Sequence, residues 1–177
     1  MNSIPEIDVR KQVILTNSYK DYLNPLDFSS LKNWVYSLGD DEVMKISSDL
    51  GWNLEKYGNF EWTKEIVNLY HAGLWPGMKN LDPIYTKGSV MDSSNLVGFL
   101  DSKNIPSKLS ENIRGISDSF NFTKFNFPPI FLEGQLIRER DSSAEKFDYD
   151  VWDGNSRCLA YALGGLSEIE GYIGRLV

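Results

Sequence analysis

The spacing of hydrophobic residues changes several times along the chain, and each change predicts an element. Lys11 to Thr16 (Lys-Gln-Val-Ile-Leu-Thr) is a short β-branched run and a strand candidate. Asn24-Pro25 turns the chain, and Asp27 is placed to cap a helix carrying Phe28, Leu31, Trp34, Val35 and Leu38 on one face, with Gly39 as its stop. Asp40 or Asp41 starts another, with Val43, Ile46 and Leu50 on its stripe and Gly51 past its end. Trp62, Ile66, Leu69 and Tyr70 are spaced as a third helix over about residues 61–72. Pro76, Gly77 and Pro83 mark 73–88 as loop or turn. Residues 95–100 form a short helix candidate, and Leu109, Ile113, Ile116 and Phe120 are spaced as one more.

From Phe122 the character shifts toward extended chain, through Phe125, Phe127, Pro128-Pro129 and Ile130-Phe131-Leu132. A Glu133-Gly134 turn leads into Leu136-Ile137-Arg138, a candidate partner for the strand at 149–152. There Phe147, Tyr149 and Val151 alternate with Asp148 and Asp150, so 147–152 is expected as a half-buried strand. After Asn155 the period becomes helical: Leu159, Ala162, Leu163 and Leu166 predict a helix from Ser156 to Leu163. Ile169, Tyr172, Ile173 and Leu176 predict a last helix over 167–176. The expected fold is α+β or mixed α/β, with a helix-rich part over 1–120 and a small C-terminal sheet with a strand-turn-helix over 121–177. No repeat or linker divides the 177 residues, which suggests a single domain.

Composition narrows the class. Hydrophobic residues make up 41% and aromatics 13%, enough for a sizeable core. No run approaches a membrane span and the first residues lack a signal-peptide pattern, so the expectation is a cytoplasmic protein with no membrane partner. Its one cysteine, Cys158, rules out an internal disulfide framework. Net charge is −7, which argues against nucleic acid as a partner and suits solubility or a basic protein partner.

The chemistry concentrates at Asp153-Gly154-Asn155-Ser156-Arg157. A strand that turns through glycine into a helix presents unpaired amides and the positive end of the helix dipole, a natural anion site. Gly154, Asn155, Ser156 and Arg157 are the candidate phosphate-binding residues; Asp153 and Glu133 are the candidate catalytic carboxylates, and Asp153 the candidate metal ligand. Residues 133–153 carry seven acids against three bases, so a nucleotide approaching them is expected to need Mg²⁺. The structural alternative is a steric turn in which Arg157 pairs with Asp150, Asp153 or a loop carbonyl. His71, the sole histidine, reads as a helix-end residue, and Cys158 stands where a neighbouring arginine and a helix start lower a thiol pKa. Trp62 and Trp75-Pro76-Gly77 read as core or loop anchors.

The stretch 128–163 resembles the ParB/sulfiredoxin-like superfamily, on Pro129-Ile130-Phe131-Leu132, Tyr149-Asp150-Val151-Trp152, Asp153-Gly154-Asn155-Ser156-Arg157 and Leu159-Ala160. The resemblance implies an arginine-and-helix-terminus phosphate site of the kind used on nucleotides. Asn155 and Ser156 stand where ParB proteins usually have glutamate and a second arginine. Cys158 follows the arginine rather than preceding it with a histidine as in sulfiredoxins, which argues against sulfinic-acid reduction. With 20 residues after Arg157, a ParB-type DNA-binding domain is not expected there. The same turn is similar to the Fic adenylyltransferase loop, but Tyr149 and Ala160 occupy the places of its catalytic histidine and second arginine. Two functions follow as expectations. One is a phosphate- or nucleotide-binding protein, with metal-dependent phosphohydrolase or phosphotransferase activity as its catalytic form. The other is a non-catalytic acidic protein-binding factor of a mobile element, acting in immunity, anti-defence or conjugation inhibition.

Overall fold

The computed structural model describes residues 3–21, 28–74, 88–103, 127–134 and 147–177. They form α1 (Glu6–Asp21), α2 (Phe28–Ser37), α3 (Asp40–Asp49), a 3₁₀ turn (Leu54–Tyr57), β1 (Phe60–Asn68), β2 (Ala72–Leu74), α4 (Val90–Ser102), β3 (Ile130–Glu133), β4 (Tyr149–Asp153), α5 (Asn155–Leu163) and β5 (Glu168–Leu176). The strands make one mixed sheet in the order β1-β5-β3-β4-β2, so the protein is α+β. The chain divides into two compact units, Met1–Thr63 with Arg175–Val177, and Lys64–Gly174.

In the first unit α1 packs on α2 and α3. The strand expected at 11–16 is instead the middle of α1. Pro5 precedes the helix, and Glu6 and Asp8 in its first turn favour the positive end of its dipole. Val9, Arg10, Gln12, Val13, Ile14, Leu15 and Thr16 are all buried, and a helix buried nearly all round shows no stripe to read. The helices at 28–37 and 40–49 follow the expected spacing. Leu31, Val35 and Val43 are buried with Ile14 and Leu15, each worth about 1.5–3 kcal/mol of burial. Trp34 and Leu50, expected inward, are exposed. Gly39 serves α3 as its N-cap: the Glu42 side chain accepts from the Gly39 amide, and Leu38 and Val43 bracket the turn as a hydrophobic staple. Arg10 is buried and donates to Glu6, Ser47 and Glu55, with its guanidinium 4.7 Å above the Trp52 ring. Trp62, buried as expected, stacks near Trp52 and Phe60.

The second unit holds the larger core. Leu74, Val151, Phe131 and Ile173 stand in register across β2, β4, β3 and β5, all fully buried on one face. Val90, Met91 and Val97 of α4, with Cys158, Leu159 and Ala162 of α5, join the same cluster. Gly171 of β5 leaves room for the Phe131 ring, since a Cβ there would lie 2.4 Å from it. β4 pairs parallel with β2 and antiparallel with β3. Its expected partner at 136–138, the helix at 109–120 and the loop residues 75–87 lie outside the described residues. Gly73, expected in the loop, is the middle of β2, and the helix at 95–100 extends to Val90–Ser102.

Two helices expected from spacing are strands. Residues 61–72 form β1, a tight turn and the start of β2; Ile66 and Tyr70, expected inward, are exposed. Residues 168–176 form β5, in which Ile169, Gly171 and Ile173 are buried alternately. β1 runs antiparallel to β5, as Val177 N–H donates to Asn59 at one end and Leu69 N–H to Ser167 at the other.

Candidate functional site

β4 carries the chain into the turn as a strand, as the alternation at 147–152 predicts, and not as the helix of a Fic loop. Its register on β3 slips beside Trp152: Phe131 faces Val151 but Ile130 faces Asp153. Such a bulge bends the strand just ahead of the turn. Gly154 then adopts the left-handed conformation (φ 93°, ψ 25°), and Asn155 opens α5, whose first hydrogen bond runs from Cys158 N–H to Gly154. A left-handed residue followed by a helical one turns successive amides toward one point, the arrangement called a nest.

The two helix starts of this unit differ. Ser89 and Asp92 cap α4 reciprocally: Ser89 N–H and Oγ–H donate to Asp92 Oδ2 at 2.9 and 2.8 Å, and Asp92 N–H donates to Ser89 Oγ. Gly154 brings α5 no capping side chain, and the first turn of α5 carries no acid. The two helices pack against each other, with Gly98 beside Leu163. Ser89 bridges Gly73 of β2, so α4 starts beside β2 while α5 starts beyond β4.

Arg157 is only 1% exposed. Its Nη2 donates to Asp153 Oδ2 at 2.6 Å, and Nη1 donates to the carbonyls of Phe127 at 2.8 Å and Pro128 at 3.4 Å. Residues 128 and 129 are prolines, so two successive positions offer acceptors and no N–H. A guanidinium has donors and no acceptors, and the two chemistries complement each other. Tyr161, one turn further along α5, also meets the Phe127 backbone; burial raises its pKa, with Arg157 and the Phe127 hydrogen bond pulling the other way. The guanidinium lies flat against Gly154, where a Cβ would sit 2.7 Å from Nη2, and Nε has no hydrogen-bond partner. Gly154 is therefore required twice, by its backbone angle and by the side chain packed on it.

These contacts redistribute the expected roles. Arg157 is spent on the protein's own carbonyls and carboxylate rather than presented to solvent. Gly154 and Asn155 are buried beside it, and Ser156 is half-buried. Asp153 forms an ion pair with Arg157. Glu133 faces Tyr149, at the other end of β4 from Asp153, so the two carboxylates are about 13 Å apart along the strand and do not share a site. Among the described residues, no three His, Cys, Asp or Glu side chains gather to hold a metal ion. Asp150, expected on a solvated acidic face, is buried, because that face of the sheet is covered too: Ile130 and Leu132 are buried on it.

Cys158 is fully buried, and loss of solvent pushes its thiol far above the ordinary value despite the Arg157 charge, with Asp153 adding to the rise. The helix-end setting that would activate it is overruled by burial. His71 sits in the turn after β1, not at a helix end. Its N–H donates to the Asn68 carbonyl and its Nδ1 lies 2.9 Å from Asp148 Oδ2, both side chains exposed. At a separation of 77 positions, no sequence signal announced that pair. Trp75, Pro76 and Gly77 lie outside the described residues. No protein-family model, no curated protein and no solved structure matches this chain.

Proposed function

We propose that the protein binds a phosphate-type anion, free or within a nucleotide, at the first turn of α5, in keeping with its ParB/sulfiredoxin-like resemblance. The observation that carries this reading is left-handed Gly154 at the N-cap of α5, which brings no capping side chain, backed by a buried guanidinium whose Nε lacks a partner. The backbone amides and the Ser156 hydroxyl are the ligand groups. Arg157 is a positioning residue that holds Asp153 and residues 127–128 behind them. With Asp153 already engaged by Arg157, Mg²⁺ does not join it to the phosphate, and affinity persists in excess chelator. A nucleotide at 100 times its dissociation constant adds about 2.7 kcal/mol of apparent stability, which a thermal shift reads directly. Phosphate, pyrophosphate and the common nucleotides, each with Mg²⁺ and with chelator, form the screen. Ser156→Asp places a carboxylate at the helix start, so it should abolish the shift while keeping the fold.

A second reading is favoured by the burial of Arg157: a non-catalytic acidic protein-binding factor in which the strand-turn-helix is only a scaffold. Absence of any shift across the screen decides for it. A shift that Ser156→Asp leaves intact places the ligand elsewhere and sinks the first reading.

A further inference from the structure

Asp153-Gly154 is the one place in the 177 residues where an aspartate precedes a glycine, and no asparagine precedes one. That dipeptide carries a reaction of its own. With no Cβ to hinder it, the glycine nitrogen attacks the carboxyl carbon of the aspartate side chain. A C–N bond forms, water leaves, and the two residues close a five-membered succinimide. Water then opens the ring. Attack at the side-chain carbonyl restores aspartate; attack at the main-chain carbonyl leaves isoaspartate, with the chain rerouted through the old side chain. The sum is an isomerisation: nothing is oxidised or reduced, and the water lost in the first step is returned in the second.

The turn holds the two reacting groups apart in three ways. Ring closure needs the Gly154 nitrogen to eclipse Asp153 Cβ, whereas Asp153 is the last residue of β4, extended and paired with Ile130. Asp153 Oδ2 is fixed at 2.6 Å to Arg157 Nη2, and Nη1 of the same guanidinium is fixed to the Phe127 carbonyl at 2.8 Å, so the carboxyl is tethered rather than free to rotate. The guanidinium also packs on Gly154, where a Cβ would stand 2.7 Å from Nη2, which leaves the peptide between the two residues little room to turn. The last two restraints both come from Arg157. Water reaches the site, since the Asp153 side chain is 23% exposed.

We propose that Asp153 is a site of spontaneous conversion to isoaspartate that Arg157 holds shut, and that conversion proceeds once this clamp is released. This is independent of the anion-binding reading. The product adds one carbon to the main chain immediately before left-handed Gly154 and moves the carboxylate off the four-residue spacing that reaches Arg157, so the modified turn loses its ion pair.

The test incubates the full chain at physiological pH and temperature and counts isoaspartate at position 153 by isoaspartyl methyltransferase labelling and fragmentation mass spectrometry. Native wild type should convert on the order of tenfold or more slowly than wild type in urea, where nothing holds the turn. Arg157→Met should convert about fivefold faster than native wild type, in keeping with an ion pair of this partial exposure. Gly171→Ala weakens the same sheet without touching the turn and should convert at the wild-type rate; circular dichroism checks that both variants are folded. Should Arg157→Met not fold, Arg157→Lys, which keeps the charge but not the fork, takes its place with the same direction of change. Native wild type converting as fast as the unfolded chain overturns the proposal, and so does an arginine variant that converts at the wild-type rate. Equal acceleration in the arginine variant and Gly171→Ala shows that opening of the whole unit sets the rate, and overturns the clamp.

Discussion

Replacing Arg157 with methionine separates its work for the fold from any work for a ligand. Methionine fills similar space but donates nothing. The buried Phe127 carbonyl loses a charge-assisted bond of 2.8 Å, a loss of about 2 kcal/mol. The Pro128 contact at 3.4 Å is too long to add much. Asp153 loses its partner, but its side chain is 23% exposed and water replaces part of the pairing, leaving about 1 kcal/mol. Relief of the unpartnered Nε offsets a fraction of this. The net expectation is about 2.5 kcal/mol, a large share of the 5–15 kcal/mol that is typical for a domain. In urea, with a slope of about 2 kcal/mol per molar, the midpoint falls by roughly 1.2 M at unchanged slope. Arg157→Lys, with one compact ammonium for three acceptors, should fall between the two. A midpoint shift under about 0.3 M, within the scatter of ordinary surface changes, would refute the reasoning. Coupled with lost nucleotide binding, it would return Arg157 to the role of phosphate ligand.

Gly171→Ala puts a methyl 2.4 Å from the Phe131 ring and should cost about 1–3 kcal/mol in urea denaturation; a neutral result would mean that the ring yields freely. Cys158 should resist iodoacetamide in the native protein at pH 8 and react within minutes in denaturant, as burial holds the thiol protonated; fast native alkylation refutes this. Burial alone would raise the Glu55 carboxyl, but a backbone hydrogen bond and the bond and charge of Arg10 together hold it below the ordinary value. A depressed carboxylate contributes stability above its unfolded pKa of about 4.3 and loses it as pH falls through the folded value. Wild type should therefore exceed Glu55→Gln in stability at pH 7, and the two should converge on acidification; a constant gap across that range would show that the charge does not matter.

Where hydrophobic period alone decides, the sequence is a good guide. The change from two to near 3.6 at Asp153 locates the ends of β4 and α5 within two residues. It misleads where one set of residues satisfies both periods. Ile169, Tyr172, Ile173 and Leu176 fit a helix, yet β5 alternates through Gly171, a buried position that hydrophobicity cannot mark. In β1 and the turn after it, the residues that completed the helical pattern, Ile66 and Tyr70, are the exposed ones. α1 failed in the opposite way, because burial on every side erases the stripe. At the site, the turn and its glycine were visible, but the partners of Arg157 were not all: Asp153 is four residues away, and Phe127 thirty. The separation of Glu133 from Asp153 depends on strand register, which no local pattern encodes.

The match between Pro128-Pro129 and Arg157 also limits how this chain can drift. If either proline became another residue, its peptide would gain an N–H on the side opposite the carbonyl that faces the guanidinium, a new donor in need of an acceptor of its own. If Arg157 became anything shorter or less forked, the carbonyls of Phe127 and Pro128 would lose their guanidinium donor. Neither side is free to change first without loss. Descendants and relatives of this sequence should therefore keep or abandon the proline pair and the arginine together, as an evolutionary unit joined across thirty residues.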